Sequence, residues 1–206
     1  MAFIANTAFE ARITNNRRDD LAHVAGKYYV STTPTDASAG LLCVRYAQAP
    51  NEGFDNPSGT RVYNENTWIF NKATSATTAD TPVFAVDPYD TQLITAPNGN
   101  SYYVGTETLG LGIPAGRYGN FTRINFDNES VYRFGIGNLA SAISTNTFFT
   151  ISDDGLLTPT ASAPTDDGAI FFELRGTGTI VKGASAAFTY YDVVARKVSI
   201  YVAPGG

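Results

Sequence analysis

The stretch "LGLGIPAGRYGNFTRINF", Leu109 to Phe126, decides how the chain is read. Its glycines would suit a loop that cradles phosphate ahead of a helix, which would make the chain a nucleotide-binding α/β protein. The spacing argues against that. A dinucleotide loop needs G-x-G-x-x-G leading from a strand into a helix. Here Gly110, Gly112 and Gly116 give G-x-G-x-x-x-G, and Pro114 is followed by Ala-Gly rather than by a helical pattern. Leu109, Leu111 and Ile113 alternate with Gly110 and Gly112, the period of two that lines one face of a strand. "IPAG", Ile113 to Gly116, suits a type I turn with proline second and glycine fourth. "FTRINF" then alternates like a second strand. The stretch reads as strand, turn, strand. Its bare glycine face calls for a close neighbour, since glycine inside a strand costs roughly 0.5–1 kcal/mol against alanine. Internal backbone packing is the plainer source of that neighbour, and a partner chain is the other.

The rest of the chain follows the same pattern. "KYYVSTT" (Lys27–Thr33), "LLCVRYA" (Leu41–Ala47), "TWIFNKA" (Thr67–Ala73) and "PVFAV" (Pro82–Val86) are short runs rich in aromatic and β-branched residues, bounded by turn formers. "TQLITAPNGNSYYVG" (Thr91–Gly105) is a hairpin turning at Asn98-Gly99, and "FFTISDDGLLTP" (Phe148–Pro159) is another turning at Asp154-Gly155. Asp166-Asp167-Gly168 opens "AIFFELRG", and "AAFTYYDVVARKVSIYVA" closes the chain. Helix signals are weak, with "NLASAISTN" (Asn138–Asn146) offering two turns at most. The expectation is an all-β fold, a sandwich and/or small barrel of short antiparallel strands with little helix. A polar run at Asp127–Ser130 suggests an N-terminal arm over 1–26, one β lobe over 27–126 and a more compact one over 127–206, which may also form one continuous domain.

Composition narrows the function. The 206 residues hold one cysteine, Cys43, and one histidine, His23, so an internal disulfide and a multi-cysteine zinc site are excluded by counting. Only 16 % of residues are charged and the net charge is −5. That balance is against nucleic acid, which needs clustered Lys and Arg, and it suits a protein displayed on a particle or outside a cell. "MAFIANTAFEAR" lacks the form of a signal peptide, and no apolar run is long enough to span a membrane, so the expected setting is a cytosol without membrane association.

Candidate chemistry is sparse. His23 follows Asp19 and Asp20, but no nucleophile elbow accompanies it, and it reads as a surface or loop-anchoring residue. The pairs Asp153-Asp154 and Asp166-Asp167 could serve as the two carboxylates of a glycosidase. Both precede glycine, where Asp caps a turn, so they read as structural with a bound cation as the remaining option. Trp68 with Tyr102 and Tyr103 could form a sugar-stacking platform, though in a strand adjacent residues face opposite sides. Cys43, within an apolar run, reads as a buried small hydrophobe. No catalytic set, metal site or cofactor site emerges.

The run "YVGTETLGLGIPAGRYGNFTRI" (Tyr103–Ile124), with "VFAVDPYDTQLI" (Val83–Ile94) before it, resembles structural proteins of tailed phages and prophages. The tail "FFTISDDGLLTPTASAPTDDGAIFFELRGTGTIVKG" (Phe148–Gly183) is similar in style to small β-barrel proteins that decorate phage heads. The resemblance implies a non-enzymatic virion component, assembled in the bacterial host cytoplasm and bound in many copies to the major coat protein and to itself. Expected contact residues are Leu109, Gly110, Leu111, Gly112 and Ile113, together with Arg12, Arg17 and Arg18 of an arm that orders on binding. A carbohydrate- or receptor-binding module of a fibre is the alternative, and it would rest on Trp68, Tyr102 and Tyr103.

Overall fold

The structure is a computed structural model describing residues 4–12, 23–51, 62–88, 91–95, 101–105, 112–127, 129–180 and 187–199. In chain order its strands are β1 (Phe9–Arg12), β2 (His23–Val30), β3 (Thr33–Pro34), β4 (Leu42–Asn51), β5 (Val62–Lys72), β6 (Val83–Val86), β7 (Thr91–Thr95) and β8 (Ser101–Gly105). They continue as β9 (Gly119–Arg123), β10 (Val131–Gly135), β11 (Phe148–Ile151), β12 (Leu157–Thr160), β13 (Ile170–Ile180) and β14 (Phe188–Lys197). The fold is all-β. Asn138–Asn146, read as two helical turns at most, forms no helix beyond the single 3-10 turn at Ile136–Asn138.

Two layers emerge from the pairing. Strands β2, β5, β4, β6 and β9 are hydrogen-bonded in that order, and β9 returns to β2, closing a five-stranded barrel. Its β2–β5 pair is parallel, an exception to the antiparallel rule expected from the sequence. The second layer is a sheet in the order β1-β10-β14-β13-β11-β12, antiparallel throughout. The strands β7 and β8 pair antiparallel, Thr95 opposite Ser101, and the turn expected at Asn98-Gly99 lies outside the described residues.

Alternation explains the packing. Cys43, Phe70, Phe84, Val86 and Phe121 fill the barrel, with Phe70 stacked on Phe121 at a centroid distance of 3.8 Å. The residues between them, Leu42, Val83 and Ala85, face outward against Tyr132, Phe134, Phe149, Phe172 and Val193 of the sheet. Strand β6 is therefore buried on both faces, which is why "PVFAV" is a continuous apolar run rather than an alternating one. The anticipated boundary at 126/127 falls where the chain passes from β9 to β10. One hydrophobic core nonetheless draws residues from both sides of it.

For the described residues 4–12 and 23–26, the reading of 1–26 as an arm is corrected. Strand β1 is an edge strand of the sheet, with Phe9 opposite Phe134 and both Ala8 and Phe9 buried, and β2 begins at His23. The segment before β1 is fastened by Asn138, which is 1 % exposed. Its Oδ1 accepts from the backbone N–H of Ala8 and of Gly135, and its Nδ2 donates to the carbonyl of Ala39. One amide side chain thus joins the N-terminal segment, the sheet and the β3–β4 connection. Burial of Phe9 supplies the apolar half of that anchoring.

The opening stretch is also rearranged in detail. Ile113 exchanges two backbone hydrogen bonds with Ala37, N to O at 2.7 and 2.9 Å. Its carbonyl is therefore taken, and the turn closes one residue later than expected. Arg117 N–H donates to Pro114 at 3.0 Å, placing Gly116, with φ of 75°, third in the turn. That is the type II position, where positive φ favours glycine.

Candidate functional site

One end of the barrel is the site the fold builds most completely. There the C-terminal ends of the parallel pair β2 and β5 meet the start of β4 and the β11–β12 turn. They enclose a cleft of about 350 Å³, at the lower bound of the range for small-ligand pockets. Its walls are amphipathic. Leu41 and Leu156 form the apolar side, while Ile4 and Val30, 40 % and 37 % exposed, stand at the rim. Asp36, Ser38, Lys72 and Asp154 supply the polar side.

Each polar group has a structural reason for its position. Asp36 accepts the backbone N–H of Ala115 at 2.8 Å, pinning the glycine turn to the β3–β4 connection. Ser38 Oγ accepts from Ile4 N–H at 2.8 Å. Lys72 Nζ pairs with Asp154 Oδ1 at 2.9 Å, both groups being open to solvent. Tyr28 follows Gly26 on the inward face of β2 and is 5 % exposed; its hydroxyl makes no hydrogen bond among the described residues. Burial pushes the Tyr28 phenol up, with the Cys43 thiol and Asp154 adding to the shift. The hydroxyl thus stays protonated and can donate to a ligand in the cleft. Cys43 beneath it is fully buried and its thiol is pushed up by that burial, so it behaves as the small hydrophobe expected.

The aspartates of the Asp153-Asp154 turn reach partners outside it rather than capping it. Ser152 Oγ, not an aspartate, accepts the turn's backbone N–H groups of Asp154 and Leu156. Asp153 instead reaches the β5–β6 connection, accepting from Ser75 N–H at 3.1 Å and Ser75 Oγ–H at 2.6 Å, which holds its carboxyl below the ordinary range. Asp154 is held by Lys72. Asp166 and Asp167 are exposed on the turn before β13 and border a shallow hollow of about 280 Å³ that also takes in Ser75 and Thr150. Among the described residues, no three His, Cys, Asp or Glu side chains stand together as a metal site.

Of the expected contact residues, the structure describes Gly112, Ile113 and the backbone of Arg12. Gly112 and Ile113 are buried, and a Cβ on Gly112 would overlap the Ala37 carbonyl. For Gly112, then, the neighbour that the bare glycine face called for is the chain's own backbone. Neither residue presents a surface to a partner. Leu109, Gly110, Leu111, Arg17 and Arg18 lie outside the described residues, and Arg12 is described only as a backbone position pairing with Val131. Tyr102 and Tyr103 occupy β8 opposite Ile94 and Leu93, with side chains outside the described set, and His23 heads β2 opposite Thr122.

Trp68 is half-buried at the opposite end of the barrel, and one face of its ring is taken. The guanidinium of Arg45 lies 4.6 Å from the Trp68 ring and 4.9 Å from that of Phe84. Sequence reasoning passed over Arg45, although the period of two in "LLCVRYA" puts it on the same face as Cys43. Lys72 and Asn138 were also missed, because their roles depend on strand register and on partners distant in sequence.

The protein-family models, the curated proteins and the solved structures hold no match to this chain.

Proposed function

We propose that the chain is a non-enzymatic structural protein of a phage particle, and that it works by docking on coat subunits through the cleft beside Tyr28. The observation that carries the docking reading is the rim of that cleft. Ile4 and Val30 stand exposed beside an apolar wall, with an ion pair and a phenol close by. An apolar centre with polar groups around it is the anatomy of a surface that another protein covers. The coat as partner rests on the sequence resemblance alone. The turn carboxylates support a non-catalytic reading, since Asp153 and Asp154 are engaged by Ser75 and Lys72 on exposed turns.

Co-sedimentation with coat shells from the encoding strain tests this directly. Val30→Asp puts a charge on the rim at an exposed position, and binding is expected to weaken at least tenfold while the fold persists. Equal binding by the variant and the parent protein would remove the cleft from the interface. The fibre-type alternative, a sugar-binding surface, would need a free face on Trp68, and Arg45 covers one.

A further inference from the structure

The end of the barrel opposite the cleft carries an arrangement that docking does not require. Period two places Arg45 on the face of Cys43 and Arg123 on the face of Phe121, so both stems rise from inside the barrel wall. Strand β6 separates their strands, and Phe84, opposite Arg123 in the ladder, forms the floor between them. Both arginines are exposed, and neither has an ion pair or hydrogen bond to a carboxylate among the described residues. They are also close enough to repel. Burial lowers the proton affinity of Arg45, and the charge of Arg123 lowers it further.

Two unneutralised guanidinium groups at one mouth are unfavourable unless something compensates them. Contact with the Trp68 and Phe84 rings compensates only part of the Arg45 charge. The Arg45 side chain is exposed and restrained between two rings, and its N–H donors meet no carboxylate among the described residues. A guanidinium fixed in this way is pre-organised for two parallel hydrogen bonds to an oxyanion, and a second cation beside it supplies the remaining charge. The aromatic floor adds a surface for whatever carries the anion.

We propose that the mouth formed by Arg45, Arg123, Trp68 and Phe84 is a binding site for an oxyanion group, a carboxylate or a phosphate. It lies at the other end of the barrel from the cleft and stands or falls independently of coat docking.

Trp68 is the only tryptophan in the chain, so its fluorescence reports on this mouth alone. The full-length protein is titrated with inorganic phosphate, with glucuronate, and with glucose and sodium chloride as controls, thermal midpoints being read on the same samples. The expected result is a saturable change with half-effect below about 10 mM for phosphate, glucuronate or both. A rise in thermal midpoint should accompany it. Whichever of the two binds more tightly identifies the source of the anion. Arg123→Gln, at an exposed position that leaves the Arg45–Trp68 contact in place, should weaken that binding at least tenfold. No saturable change, an equal change with glucose or chloride, or undiminished binding in Arg123→Gln would each overturn the proposal.

Discussion

Gly112 and Gly116 are four residues apart and do different work. At Gly112 a Cβ has no room, because the Ala37 backbone passes directly against it. At Gly116 nothing lies within 4 Å of a built Cβ, and only the φ of 75° favours glycine. Gly112→Ala is therefore expected to cost about 2–3 kcal/mol as the backbones are forced apart. Gly116→Ala should cost roughly 1 kcal/mol of local strain. Urea denaturation of the two variants measures the contrast, and equal losses would mean that the close approach to Ala37 is wrong. The bare glycine face was legible in "LGLGIPAG". The identity of the crossing segment was not, since Ala37 lies 75 residues earlier and nothing local marks it. Asn138 is illegible for the same reason, as its three partners come from separate parts of the chain.

Elements are held to one another by side chains whose pairing the strand register determines. Glu10, Arg133 and Asp192 lie in one row across β1, β10 and β14. Arg133 donates two hydrogen bonds to Asp192 at 2.8 and 2.9 Å and one to Glu10 at 3.3 Å, while its guanidinium covers Tyr190. Arg133 is 8 % exposed, so Asp192→Ala leaves a buried cation with Glu10 as its one carboxylate partner among the described residues. The expected loss is about 2–3 kcal/mol in urea denaturation, below the figure for a fully isolated buried charge because Glu10 remains. A second tie joins the β11–β12 turn to the β5–β6 connection through Asp153 and Ser75. The Asp153 carboxyl titrates lower in the folded chain than in the unfolded one. Its contribution is complete above the unfolded value and is lost as pH falls through the folded one. Asp153→Ala should therefore be less stable than the parent at neutral pH, with the gap closing below about pH 4. A gap that persists in acid would show that the carboxylate charge is not what holds the turn. Most strands were legible from short apolar runs bounded by turn formers. Strand β1 was not, because "FEAR" is too short to show a period and takes its place as an edge through Phe9.

Among the described residues a closed barrel and an open sheet share an apolar cluster between them, while the barrel holds a second cluster inside and the β7–β8 hairpin pairs apart from both. Polar residues 127–130 mark the passage from one layer to the other, yet Leu42, Val83 and Ala85 of the barrel pack on Phe134, Phe149 and Phe172 of the sheet. Composition signals the change of layer, whereas the shared core is visible only in three dimensions. The two mouths of the barrel were equally hidden, since each gathers residues from several strands and one places cations inside a β-barrel wall. Docking on a coat lattice makes a quantitative demand at this scale: the chain must be present in proportion to the subunits it covers. The direct test is mass spectrometry of particles purified from the encoding strain, counting copies of this chain against the major coat protein. A fixed, near-stoichiometric ratio is the predicted result. Absence of the chain from particles in which the coat protein is readily counted would contradict the virion reading.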